Sequence, residues 1–150
     1  MPTIRVSAEV HADPATVYGE VSDLPGHARW AADPIEVVPV DDTALGVGKR
    51  FRSTATSKGT SFTADLVVTE HTPPRRFAFT AVDATGCYQH TFVVEPTSAG
   101  SKVSRTVVGE LTPAQRLLFA LVYLPVKKPN ARLALRRLKA HLEPTPSPDR

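Results

Sequence analysis

Three side chains in the second half of the chain combine reactive chemistry with a telling spacing: Tyr88, His90 and Arg105. In residues 87–95, Tyr88, His90, Phe92 and Val94 fall on alternate positions, so a strand there carries a phenol and an imidazole on its apolar face. In residues 102–111, Val103, Arg105, Val107, Gly109 and Leu111 do the same. An inward imidazole that titrates near neutrality suits a general base or a hydrogen bond to a ligand. An inward Arg105 requires a carboxylate, a carbonyl or a ligand anion, because an unpaired buried charge is very costly. Each has a plainer reading. His90 could be a core histidine bonded to a backbone carbonyl, Tyr88 a phenol bonded to backbone, and Arg105 a strand-end or solvent-facing residue beyond a bulge.

The same parity argument places Phe51 in residues 50–56, Phe62 in 61–70 and Phe79 in 77–82 on apolar faces. Tyr123 offers a second phenol able to orient a polar ligand atom. Trp30, the only tryptophan, lies in "DLPGHARWAADP", a stretch broken by Pro25, Gly26 and Pro34. It either plugs a core or lines the mouth of a cavity.

Other chemistries lack their residues. The five histidines are far apart, no Cys/His spacing resembles a zinc site, and neither a metal nor a cofactor is expected. Cys87 has no adjacent base to activate it. Neither G-x-S-x-G nor a phosphate-binding glycine loop is present, and no pair of carboxylates suggests itself for acid–base work.

The elements that must position these groups follow from periodicity. "TIRVSAEVHA" (3–12) alternates as a half-buried strand. Asp13-Pro14 then starts a helix, with an N-cap carboxylate followed by proline at the first helical position. Val17, Val21 and Leu24 form its stripe up to Pro25-Gly26, and a short second helix runs to about Trp30. Six strands follow between 35 and 111, separated by turns near Asp41-Asp42, Lys58-Gly59, Pro73-Pro74, Asp83–Gly86 and "PTSAGS". Short turns between successive strands predict an antiparallel meander.

At Leu111 the period changes. Thr112, Pro113 and Gln115 form a capping box, and a helix of about 30 residues follows, with Pro125 and Pro129 expected to kink or break it. Such a helix has the length to lie across the open face of the sheet, and a curved sheet would leave a cavity beneath it. The predicted class is α+β, and 150 residues suit one domain, residues 1–143, with a disordered Pro-rich tail at 144–150.

The net charge of +3 is unevenly placed: six of the 18 basic residues fall in 127–139, which contains no acid. The plain reading is a solvated helix face. Lys128, Arg132, Arg136 and Lys139 also make a cationic stripe suited to anionic lipid headgroups beside "LLFALVYLPV". No recognition motif or aromatic interleaving accompanies the charge, so nucleic acid is not expected. With no signal-like leader and no apolar run of bilayer length, the protein is expected to be soluble and cytoplasmic.

Five segments, in this order, carry a family likeness. They are "VSAEVHADPATVYGEVSDLPGHARW", "GVGKRF", "VTEHTPPRRFAF", "FVVEPTSAGSKVSRTV" and the closing "LRRLKAHLE". Together they resemble the START-like (SRPBCC) superfamily, in particular its bacterial polyketide cyclase/dehydrase and lipid-transport branch. The resemblance implies a helix-grip (START/Bet v 1-like) fold: a seven-stranded curved antiparallel sheet, two short helices after the first strand and a long C-terminal helix across the sheet. It further implies binding or transport of a hydrophobic or amphipathic small molecule (lipid, polyketide or aromatic metabolite) between sheet and helix. The ligand-facing residues would then be Trp30, Phe51, Phe62, Phe79, Tyr88, His90, Arg105 and Tyr123. Some members are enzymes, so the alternative is an aromatase/cyclase in which His90 is the base and Arg105 or Tyr88 polarises a carbonyl. A third possibility is a docking module that uses the basic helix.

Overall fold

A computed structural model describes residues 3–57 and 59–143, leaving aside the side chains of residues 57, 122–124, 126 and 127. Seven strands form one antiparallel sheet: β1 (Thr3–Val10), β2 (Ile35–Pro39), β3 (Arg50–Ser57), β4 (Thr60–Thr72), β5 (Arg76–Asp83), β6 (Gly86–Thr97) and β7 (Gly100–Glu110). Their order is β1-β7-β6-β5-β4-β3-β2, so six consecutive strands form the expected meander and β1 closes it beside β7. The expected tail at 144–150 lies outside the described residues.

Because β1 and β2 occupy opposite edges, the chain between them has to cross the sheet. It does so as α1 (Pro14–Ser22) and a 3-10 turn (Pro25–Arg29), with α1 packed on β5, β6 and β7 and the 3-10 turn on β2. The crossing buries Val17, Val21 and Leu24 against the sheet, the stripe expected from their spacing. Asp13 takes the extended N-cap conformation, but its carboxylate accepts from the Thr16 hydroxyl and caps no backbone N–H.

At the far end of β7, Thr112 and Gln115 form the predicted capping box in both directions. The C-terminal helix consists of α2 (Pro113–Leu118), a π-helical turn (Phe119–Tyr123) and α3 (Leu124–Leu142), with Pro129 inside α3. The irregular turn lies just ahead of Pro125 and contains Leu121, whose carbonyl a proline four positions on cannot bond. α3 packs on β1 and buries Leu135 and Leu138.

Two details set which side chains face inward. A register shift between Val68 and Glu70 in β4 brings His71 opposite Phe77, and its Nδ1 lies 2.7 Å from the hydroxyl of core residue Tyr18. Gly100 opens β7 at φ +148, where an added Cβ would lie 2.4 Å from the Val10 carbonyl oxygen, so only glycine lets this hairpin approach the end of β1.

Candidate functional site

The sheet and the C-terminal helix do not close on each other everywhere. Between them lies a cavity of about 290 Å³. Its floor is the inner face of β5–β7: Ala81, Tyr88, His90, Arg105 and Val107. Register explains the grouping, since His90 pairs with Phe79 on one side and Val107 on the other, while Arg105 pairs with Phe92. Its roof is Phe119 of the π-helical turn and Asn130, Ala131 and Ala134 of α3. The space exists because α3 presents two alanines here; one turn later, Leu135 and Leu138 fill the same interface. One wall is formed by His27 of the 3-10 turn together with Trp30 and Asp33 just beyond it.

The polar groups are joined in pairs. Arg105 donates from Nη2 to Nδ1 of His90 at 3.2 Å. The His90 ring stacks on Phe79 with centroids 4.7 Å apart and planes 5° from parallel, and the Arg105 guanidinium lies 5.2 Å from the centroid of Phe92. Arg105 forms no ion pair among the described residues, and its enclosed Nε has no hydrogen-bond partner. Burial lowers its pKa to about 10, still far above neutrality, so it remains a cation. On the same floor Tyr88 lies 2.8 Å from the Thr85 hydroxyl, which donates to Asp83 at 2.6 Å. With that proton committed, Tyr88 is the donor to Thr85.

Trp30 is 1% exposed, so it is a core residue that also forms cavity wall. Its ring lies 4.4 Å from His27 and meets Phe92 edge-on at 6.1 Å, while its indole N–H has no partner. His27 is the residue that periodicity missed. Nε2 of His27 donates to the Val21 carbonyl at 2.7 Å, and burial, assisted by the charge of Arg105, holds its pKa down to about 3. It is a neutral hydrogen-bonded strut. The only signal for it was its place in the Pro25-Gly26 turn ahead of Trp30, where no helical or strand period operates.

Of the eight residues expected to face a ligand, Trp30, Tyr88, His90 and Arg105 line the cavity. Three others are not among the residues that line it. Phe79 pairs with His90 across the strands and stacks on its ring. Phe51 is core and borders a separate hollow with Leu24, Pro25 and Lys49. Phe62 is 41% exposed, because the outer end of the β3–β4 hairpin (residues 60–63) is exposed on both faces. The side chain of Tyr123 lies outside the described residues.

On α3, Lys128, Arg132 and Arg136 are exposed. Lys139 is committed: it donates to the Glu9 carbonyl at 2.8 Å and pairs with Glu143 at 3.3 Å. Arg137 reaches across to the cavity wall, donating to the carbonyls of Ala31 and Ala32 at 2.7 and 3.1 Å. Asn130 donates to Asp33 at 3.3 Å, so α3 holds the 31–33 wall at two points. No described helix is long and apolar enough to cross a membrane.

The sequence profile described as "Polyketide cyclase / dehydrase and lipid transport" matches residues 1–143, nearly the whole chain. The chain belongs to that family. As a START-like protein it has the helix-grip fold, and its seven-stranded sheet with crossing helices matches solved structures along almost its full length. TTHA0849 from Thermus thermophilus is similar at 23% identity and TM-score 0.77, over 94% of this chain and 97% of that one. Protein CV1439 from Chromobacterium violaceum is similar at 22% identity and TM-score 0.75, over 97% of this chain and 100% of that one. The Aha1 dimer from Colwellia psychrerythraea shares 17% identity at TM-score 0.68, over 96% and 98% of the two chains. At these identities the likeness is one of fold. No curated protein matches the chain.

Proposed function

We propose that this START-like protein binds a hydrophobic or amphipathic small molecule, a lipid, polyketide or aromatic metabolite, in the cavity between its sheet and its C-terminal helix. The observation that carries the reading is the roof: Ala131 and Ala134 keep open a space that leucine at either position would occupy. The apolar walls supply most of the affinity, at about 25 cal/mol per Å² of surface buried, and the few polar groups on the floor set orientation. The 31–33 wall, held to α3 by Asn130 and Arg137, borders the cavity and is the route by which we infer the ligand enters. The exposed Lys128, Arg132 and Arg136 suit an anionic surface where such a ligand is exchanged.

The test uses a neutral apolar probe, N-phenyl-1-naphthylamine, on the full chain. Wild type binds it with a fluorescence rise, and Ala134→Leu, which fills the roof, weakens binding at least about tenfold while remaining folded. Absence of binding to wild type, or equal binding by a folded Ala134→Leu, overturns the reading. Native mass spectrometry of freshly purified protein gives the mass of any molecule carried along.

A second reading is supported by the convergence of His90 and Arg105 on this one cavity. In a cyclase/dehydratase-type reaction, Arg105 would polarise a carbonyl and offset charge developing on its oxygen. Because Arg105 donates to Nδ1, the neutral His90 ring carries its proton on Nε2. In this pose it is a hydrogen-bond donor. Nδ1 takes a substrate proton only once Arg105 turns from it to the substrate, which couples binding to the appearance of the base.

A further inference from the structure

We propose that the cavity's ligand is a monoanion, a compact and largely apolar carboxylate, and that Arg105 is the residue that pairs with its charge. The proposal rests on the reading that the cavity binds a small molecule and adds the chemical class.

Arg105 is a permanent cation on the floor of the cavity, half-buried as a residue and with Nε enclosed. Among the described residues its only hydrogen bond is to a neutral ring nitrogen of His90, which satisfies one N–H and neutralises no charge. The face of Phe92 adds weak attraction and no counter-charge. Two carboxylates, Asp33 and Asp83, also line the cavity, yet neither pairs with Arg105. Asp33 accepts from Asn130, and Asp83 accepts from the backbone N–H and hydroxyl of Thr85. The second cavity histidine, His27, is neutral and turned to the Val21 carbonyl. Among the described residues the half-buried guanidinium thus has no counter-ion, an arrangement whose cost a ligand anion would offset.

The same inventory sets the class. Among the described residues one cation and two carboxylates share the walls, so a group bearing two negative charges, such as a phosphate monoester, would be poorly compensated. A carboxylate carries one charge and matches the planar fork of a guanidinium. The ring faces of Tyr88 and Phe119, 6.2 Å apart and 37° from parallel, give the rest of the molecule an aromatic surface. A volume of about 290 Å³ limits that remainder to a compact body.

The experiment compares 1-naphthoate with its neutral isostere 1-naphthamide by titration calorimetry. Wild type binds the acid at least about tenfold more tightly than the amide. Arg105→Met, checked for folding by its thermal transition, loses that preference, and Arg105→Lys retains part of it. Equal binding of acid and amide by wild type overturns the proposal while leaving the cavity reading intact. So does an acid preference that survives in a folded Arg105→Met. Binding of neither probe counts against both. The wild-type comparison needs no variant, so the proposal stays testable should Arg105→Met fail to fold.

Discussion

Arg105 and His90 sit on neighbouring antiparallel strands, and the guanidinium of one donates to the ring Nδ1 of the other at 3.2 Å. Arginine has no acceptor, so this single contact fixes the neutral tautomer of His90 as Nε2–H. In protein labelled with ¹⁵N, the His90 ring should show the Nε2–H pattern near neutral pH, and Arg105→Met should shift it toward a mixture. An Nδ1–H pattern in wild type would overturn the assignment.

Replacing His90 by Gln separates binding from chemistry. The amide still fills the place beside Phe79 and can still hydrogen-bond, so N-phenyl-1-naphthylamine should bind within about threefold of wild type. Cyclisation of a poly-β-ketone thioester, if the protein catalyses it, should fall by about a hundredfold or more. Equal loss of both would mark His90 as a structural residue only.

His27 gives a pH dependence with a definite sign. Its pKa falls from 6.5 in the unfolded chain to about 3 in the folded one, so the unfolded state binds the extra proton throughout that interval. Stability from this group is complete above pH 6.5 and is lost as pH falls toward 3, with a slope of up to about 1.4 kcal/mol per pH unit. Urea midpoints for wild type and His27→Gln should therefore converge between pH 6.5 and 4. Parallel curves would show that His27 does not titrate on unfolding.

The indole N–H of Trp30 has no partner, so Trp30→Phe removes packing but no hydrogen bond. We expect a cost of about 1–2 kcal/mol for Trp30→Phe and about 3–5 kcal/mol for Trp30→Ala, read from chemical denaturation. Similar costs for the two would show that the ring contacts with His27 and Phe92 contribute little.

Arg137 is exposed yet bonded to the backbone of the cavity wall at Ala31 and Ala32. Arg137→Ala should change global stability by less than about 1 kcal/mol. It should nonetheless raise the dissociation rate of N-phenyl-1-naphthylamine several-fold in stopped-flow displacement. An unchanged rate would place the entry route elsewhere.

Where a period operates, the sequence can be read directly. Strand alternation alone put Tyr88, His90, Arg105 and Phe79 on one face, and the capping box marked the start of the last helix. Legibility ended where the period breaks. Phe62 shares the parity of Leu66, but alternation says which face a residue takes and nothing about how far cover extends along the strand. His71 turns inward only because β4 slips by one residue, and His27 sits in a 3-10 turn too short to have a pattern. Pro125 marked the neighbourhood of the irregular turn, since its ring and missing N–H disturb the carbonyl of Leu121 four residues earlier, but proline alone does not say that the result is a π-helical turn beginning at Phe119.

That turn has a consequence for how such a protein diversifies. A π-helical turn holds one residue more than an α-helical one, so deleting a single residue within 119–123 would restore regular geometry. Residues 113–118 would keep nearly their present phase relative to α3, so the change would fall on the side chains of the turn itself, Phe119 above the cavity among them. The sheet, the Ala131 and Ala134 roof and the Arg105–His90 pair would keep their places. One indel in the lineage could thus retune ligand shape at a single end of the cavity while the scaffold is inherited unchanged.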